Sequence, residues 1–86
     1  MTIRLHKHFD ERLKKLPPKL QARARERLGL FIENPFHHQL NNHPLKGKYI
    51  GYRSINITGD WRAIFKLVSD DEAIFATIDT HSNLYR

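Results

Sequence analysis

The chain of 86 residues contains no cysteine. Disulfides are therefore excluded as a source of stability, and so are structural zinc sites built on thiolates. No apolar run approaches the length of a membrane span. Near Met1 there is neither an apolar secretory core nor a cleavage pattern, so a soluble, cytoplasmic protein without membrane association is expected. Internal repeats and low-complexity tracts are missing as well. Acidic residues are the scarcer charge: nine Asp and Glu face 15 Lys and Arg, for a formal +6 and a pI near 10.0. On a surface this small, that excess makes a positive field that attracts polyanions. Nucleic acid comes first, because Lys and Arg contacts to phosphate supply most non-specific affinity. An acidic protein partner would use the same field, and a basic but merely soluble protein is the plain alternative.

A chain of 86 residues has room for one core, so residues 1–86 read as a single domain. Thr2 to His6 alternate apolar and polar and predict a short strand. Phe9, Leu13 and Leu16 then recur at helical spacing until Pro17 and Pro18 break the helix and start the next. The second helix carries Leu20, Ala24, Leu28 and Phe31 on one stripe and ends near Asn34-Pro35. Lys19, Arg23 and Arg27, spaced by four, form a basic ridge on a neighbouring face. After the loop-like NPFHHQLNNHPLKGK, three strand-like runs follow: YIGYRSINI, DWRAIFKLV and EAIFATIDT, joined at Thr58-Gly59 and Ser69-Asp70-Asp71. The order β-α-α-β-β-β predicts an α+β fold with two N-terminal helices packed on a mainly antiparallel four-stranded sheet. Short connections make the last three strands neighbours, while the pattern leaves the place of the first strand open.

In such a meander, the start of the third strand and the end of the fourth lie at the same end of the sheet. Asp60 and His81 can then approach each other, and the loop carrying His43 can reach the same edge. RNA cleavage by a 2′-hydroxyl needs a base, an acid for the leaving 5′-oxygen and positive charge near the phosphate. Histidine suits either proton role, and a nearby carboxylate can orient its ring. Lys46, Lys48, Arg53 and Arg62 are available to the phosphate. Tyr85 and Trp61 are candidates to stack on a splayed base. Each has a plainer reading: Trp61 alternates with Ala63, Phe65 and Leu67 as a core residue, and Asp60 after Gly59 suits a turn. Adjacent His37 and His38 cannot easily chelate one ion, so no metal site and no cofactor are expected.

The stretch HPLKGKYIGYRSINITGDWRAIFKL, followed by THSNLY, resembles the YafQ-like branch of the RelE/ParE toxin superfamily. That branch shows a His-Pro-Leu-x-Gly segment, a Gly-Tyr-Arg strand, an Asp-Trp pair and a terminal Thr-His-x-x-Leu-Phe. The resemblance implies a small, metal-independent mRNA endonuclease that inhibits translation, often at the ribosome. It further implies neutralisation by a cognate antitoxin protein in a hetero-oligomeric complex. His43, the Asp60-Trp61 pair and His81 match the family positions, with His81 as general acid and Asp60 and His43 supporting proton transfer or phosphate geometry. Tyr85 stands where the branch has phenylalanine, and can stack or handle a proton. Where the branch has Arg-x-x-His, this chain has Asn56 after Arg53-Ser54-Ile55. Asparagine can hydrogen-bond a phosphate but cannot titrate near neutral pH, so reduced but real nuclease activity is expected. The rival readings are a ParE-like toxin that inhibits gyrase by protein contact without nuclease activity, and a non-enzymatic nucleic-acid binder.

Overall fold

A computed structural model describes residues 1–85. In chain order the elements are β1 (Thr2–Leu5), α1 (Lys7–Lys14), α2 (Pro18–Glu33), β2 (His43–Pro44), β3 (Arg53–Asn56), β4 (Trp61–Ser69), β5 (Glu72–Thr80) and α3 (His81–Leu84). Single 3-10 turns lie at His38–Leu40 and Gly47–Tyr49. The sheet order is β1-β5-β4-β3-β2. β1 runs parallel to β5, and every other pair is antiparallel.

The expected α+β class and meander are present, with two differences in the sheet. It has five strands instead of four, because His43 and Pro44 pair with Ser54 and Arg53. The run YIGYRSINI is a strand only over Arg53–Asn56. Its first half turns through the 3-10 segment and Gly51, whose φ of 91 is a left-handed value open to glycine at little cost. The β propensity of Tyr49, Ile50 and Tyr52 gives way to that turn. β1, whose place the pattern left open, lies at the edge beside β5.

Local chemistry explains the helices. His6 caps α1 by accepting the His8 amide on Nδ1 at 3.1 Å. Pro17 and Pro18 then sit at the cap and first position of α2, where a missing N–H costs nothing. Phe9 and Leu13 from α1 join Ala24, Leu28 and Phe31 from α2 on one face of the sheet, against Ile55, Ala63, Phe65, Phe75 and Ile78. Phe31 meets the Phe65 and Phe75 rings edge-on at centroid distances of 4.8 and 5.2 Å. Such pairs contribute about 0.5–1.5 kcal/mol each beyond the area they bury.

Among the described residues, α3 is the one α-helix on the opposite face. There Leu45, Ile64 and Leu84 form a small second cluster, with Tyr49 and Tyr52 packed against it. α3 folds back across the sheet because Leu84, 3 % exposed, is its one buried residue. The main core holds the sheet flat against α1 and α2, and this lesser cluster holds the end of the chain over the open face.

Candidate active site

Alternation along β4 sends Ala63 and Phe65 into the main core and presents Arg62, Ile64 and Lys66 on the open face. Lys66 lies over the Tyr52 ring at 5.8 Å, and Lys48 over the Tyr49 ring at 5.4 Å. This face therefore combines cations with aromatic rings, the composition that single-stranded nucleic acid uses for backbone and base.

The junction of β5 and α3 is tightly fastened. Asp79 Oδ1 accepts the Thr80 amide at 2.7 Å and Asn83 Nδ2 at 3.0 Å. Its Oδ2 pairs with Arg12 Nη2 at 2.9 Å, and Arg12 Nε also donates to the Ile78 carbonyl at 2.8 Å. Thr80 caps α3, its Oγ1 accepting the Asn83 amide at 3.2 Å. His81 is thereby the first residue of α3, exposed on the surface. Its amide donates to the Asp60 carbonyl at 2.8 Å, so the expected approach of the two residues occurs through the backbone. Asp60 is itself exposed.

One turn later Tyr85 brings its ring to 4.8 Å from the His81 imidazole. Burial pushes the Tyr85 phenol above its ordinary value of 10.0; Arg62 opposes that shift and Tyr49 adds to it. The phenol therefore stays protonated near neutrality, where it can donate a hydrogen bond or stack but not act as a base. Arg62 is itself held in place: its Nη1 donates to the Thr58 and Gly59 carbonyls, both at 3.1 Å.

The remaining sequence candidates are dispersed. His43 shares the open face in register with Ser54 and Ile64, yet β2 lies three strands from β5. At strand spacing that is roughly 14 Å across the sheet. Its Nδ1 bonds the Asn41 carbonyl at 2.7 Å, which in the neutral ring leaves Nε2 as the basic nitrogen. Trp61 packs its ring against the main core, the plainer of its two readings. Arg53 donates to Asn42 Oδ1 at 2.8 Å and lies over Phe36 at 5.5 Å, fastening the loop before β2. Lys46 caps the second 3-10 turn through its backbone and is exposed, as is Lys48. Asn56 is in register with Arg62, and its Oδ1 is buried without a hydrogen-bond partner among the described residues. His37 and His38 stack on each other at 4.5 Å, and His37 caps the first 3-10 turn. Among the described residues no group of three or more His, Cys, Asp or Glu side chains is placed to hold a metal ion. No helix among them is long and apolar enough to cross a membrane.

Sequence reasoning missed Tyr49, Tyr52, Lys66 and Asp79. The alternation that placed Trp61 in the core also places Lys66 beside Arg62 and Ile64, so that signal was available. Tyr49 sits in a turn that the strand reading concealed, and the ion-pair partner of Asp79, Arg12, is distant in sequence.

Comparison with known proteins bears on this architecture. A family model described as a bacterial toxin of type II toxin-antitoxin system, YafQ, matches residues 1–86. Comparison with curated proteins finds no match. The chain superposes on YafQ from E. coli strain BL21(DE3) with a TM-score of 0.79 at 25% identity, covering 98% of this chain and 97% of that one. A chain of the E. coli DinJ-YafQ toxin-antitoxin complex gives 0.76 at 25% identity, with 98% and 96% covered. A YoeB/ParE toxin from Agrobacterium tumefaciens shares the fold, with a TM-score of 0.75 at 18% identity over 94% of this chain and 99% of that one. The chain belongs to the YafQ family of bacterial toxins of type II toxin–antitoxin systems.

Proposed function

We propose that this toxin is an endoribonuclease that cleaves mRNA on the open face of its sheet, at the ribosome, and so inhibits translation. The observation that carries the reading is the pairing of the exposed His81 imidazole with the Tyr85 ring at 4.8 Å, with Arg62 in register with Asp79, two residues before His81. The 2′-oxygen attacks the adjacent phosphorus, and the bond from phosphorus to the 5′-oxygen breaks. A 2′,3′-cyclic phosphate and a 5′-hydroxyl result. His81, as imidazolium, gives its proton to the departing 5′-oxygen. The carboxylate of Asp60, an exposed residue, accepts the proton of the attacking hydroxyl. Arg62 and Lys66 stabilise charge on the phosphoryl oxygens. Tyr85 stacks on the base or donates to the phosphate as a neutral phenol. His43, farther along the face, holds the RNA strand with Lys46 and Lys48. Asn56 can bond the backbone but supplies no proton chemistry near neutrality, which makes the enzyme slow.

A cognate antitoxin restrains this activity. The formal charge of +6 favours an acidic partner segment, and a relative is known in complex with the antitoxin DinJ. The cleavage chemistry is tested with an RNA carrying 2′-deoxyribose at the mapped cleavage position. Cutting at that position is expected to stop, while cutting of the all-ribose strand yields a cyclic phosphate end. Continued cutting at the deoxy position would overturn the mechanism.

A further inference from the structure

At the β3 end of the sheet, beside the open face, a groove runs between α2 and the turn joining β3 to β4. One part, of about 310 Å³, is lined by Lys19, Leu20, Arg23 and Thr58. A second, of about 250 Å³, is lined by Arg23, Arg27, Gln39, Asn56 and the Ile57 to Gly59 turn. They share Arg23 and Thr58 and so form one track. The basic ridge of α2 lies along it, with a cation about every 6 Å, the rise of four helical residues.

The polar groups of this groove have needs the protein does not meet. Arg27 has a side chain only 14% exposed, and its Nη1 donates to the Gln39 carbonyl at 3.2 Å. Its Nε is buried and has no hydrogen-bond partner among the described residues. Glu26 stands 3.9 Å from both Arg27 Nε and Arg23 Nε, beyond hydrogen-bond range. Asn56 Oδ1 is likewise buried and unpartnered. One group requires an acceptor and the other a donor. A ribonucleotide carries both on neighbouring atoms, the phosphate oxygens and the 2′-hydroxyl. A carboxylate side chain offers acceptors alone, and DNA lacks the hydroxyl. The arginine fork matches phosphate geometry better than lysine does.

We propose that this groove is a second RNA-backbone site, taking a phosphate on Arg23 and Arg27 and the adjoining 2′-hydroxyl at Asn56. It rests on RNA being the ligand of this toxin, and not on the cleavage chemistry. The turn that walls the groove is the one whose Thr58 and Gly59 carbonyls hold Arg62. A strand leaving the open face passes round that turn and enters the track.

The test uses the His81→Ala protein, so that binding is read without cleavage. Fluorescence anisotropy follows a short labelled single-stranded RNA, and DNA of the same sequence, across a salt series. Arg23→Gln and Arg27→Gln are each expected to lower the slope of log K against log salt by about 0.7, the share of one phosphate contact on a single strand. Arg25→Gln, on an exposed residue that bonds only along the helix to Gln21, leaves the slope unchanged. RNA binds several-fold more tightly than DNA, and Asn56→Ala narrows that gap. Arg23 is 47% exposed, so its variant keeps the test valid if Arg27→Gln folds poorly. If both groove variants behave like Arg25→Gln, the proposal is overturned whatever the nuclease result. If they bind RNA normally but lose an acidic protein partner, the groove is a protein-docking surface and the proposal falls. Absence of any RNA binding in the parent protein would remove the RNA reading itself.

Discussion

On one side of the sheet, Phe9, Phe31, Phe65 and Phe75 are wholly buried beneath two helices. On the other side the buried apolar residues are Leu45, Ile64 and Leu84, bordered by Tyr49, Tyr52 and the cations Arg62 and Lys66. The first side supplies most of the stability through apolar area and aromatic contacts. The second has only enough apolar surface to seat α3. A sheet that hides one face thoroughly can leave the other polar, ionised and open to a ligand without losing the fold. Charge and reactive groups gather where packing makes the fewest demands.

The contrast is sharpest in stability. Phe31→Ala is expected to cost about 3–5 kcal/mol, much of the total stability of a small domain, and to leave the protein largely unfolded in a urea titration. Leu84→Ala, on the open side, should cost about 2 kcal/mol, since its surroundings can relax toward solvent. The fold then survives, but α3 loses its anchor, and RNA cleavage falls further than the stability loss explains. If Leu84→Ala unfolds the protein as readily as Phe31→Ala, the two faces are not distinct in role.

Asp79→Asn probes the link between them, because Asp79 ties the α1 residue Arg12 to α3. Loss of the charge-assisted bond should cost about 1–2 kcal/mol by chemical denaturation and lower kcat with little change in KM. An unchanged kcat would show that the orientation of α3 is irrelevant to the reaction. The smallest effect belongs to Tyr85→Phe. The Tyr85 pKa lies above its ordinary 10.0 in the fold, so the stability it contributes is present below pH 10.0 and is lost as pH rises through the higher folded value. Near neutrality the variant should keep the wild-type pH–rate profile. A shifted profile there would mean that a phenolate takes part.

Much of the covered side was legible in the sequence, because periodicity is a local signal of burial. Phe9 and Leu13, then Ala24, Leu28 and Phe31, announce helix faces, and Ala63 and Phe65 announce a strand face. The pairing of β1 with β5 was not legible, since parallel partners leave no mark on either segment. The open side was readable only in part. His81 and Asp60 come together because a meander demands it, and the backbone bond between them follows. The place of His43 was not legible, as a loop with no period conceals a two-residue edge strand. Tyr49 and Tyr52 carry strand propensity, and their place on the open face depends on left-handed Gly47 and Gly51. The role of Asp79 was not legible, because its ion-pair partner Arg12 lies in α1.

The central claim is that the open face, with His81 as proton donor, cleaves RNA. It is tested most directly by comparing purified wild-type toxin and His81→Ala for mRNA cleavage in a translation extract. His81 is exposed, so the substitution should alter stability by no more than about 0.5 kcal/mol. The account predicts cleavage by the wild type and a loss of about 10²–10⁴-fold in the folded variant. Equal cleavage by the two proteins would contradict it.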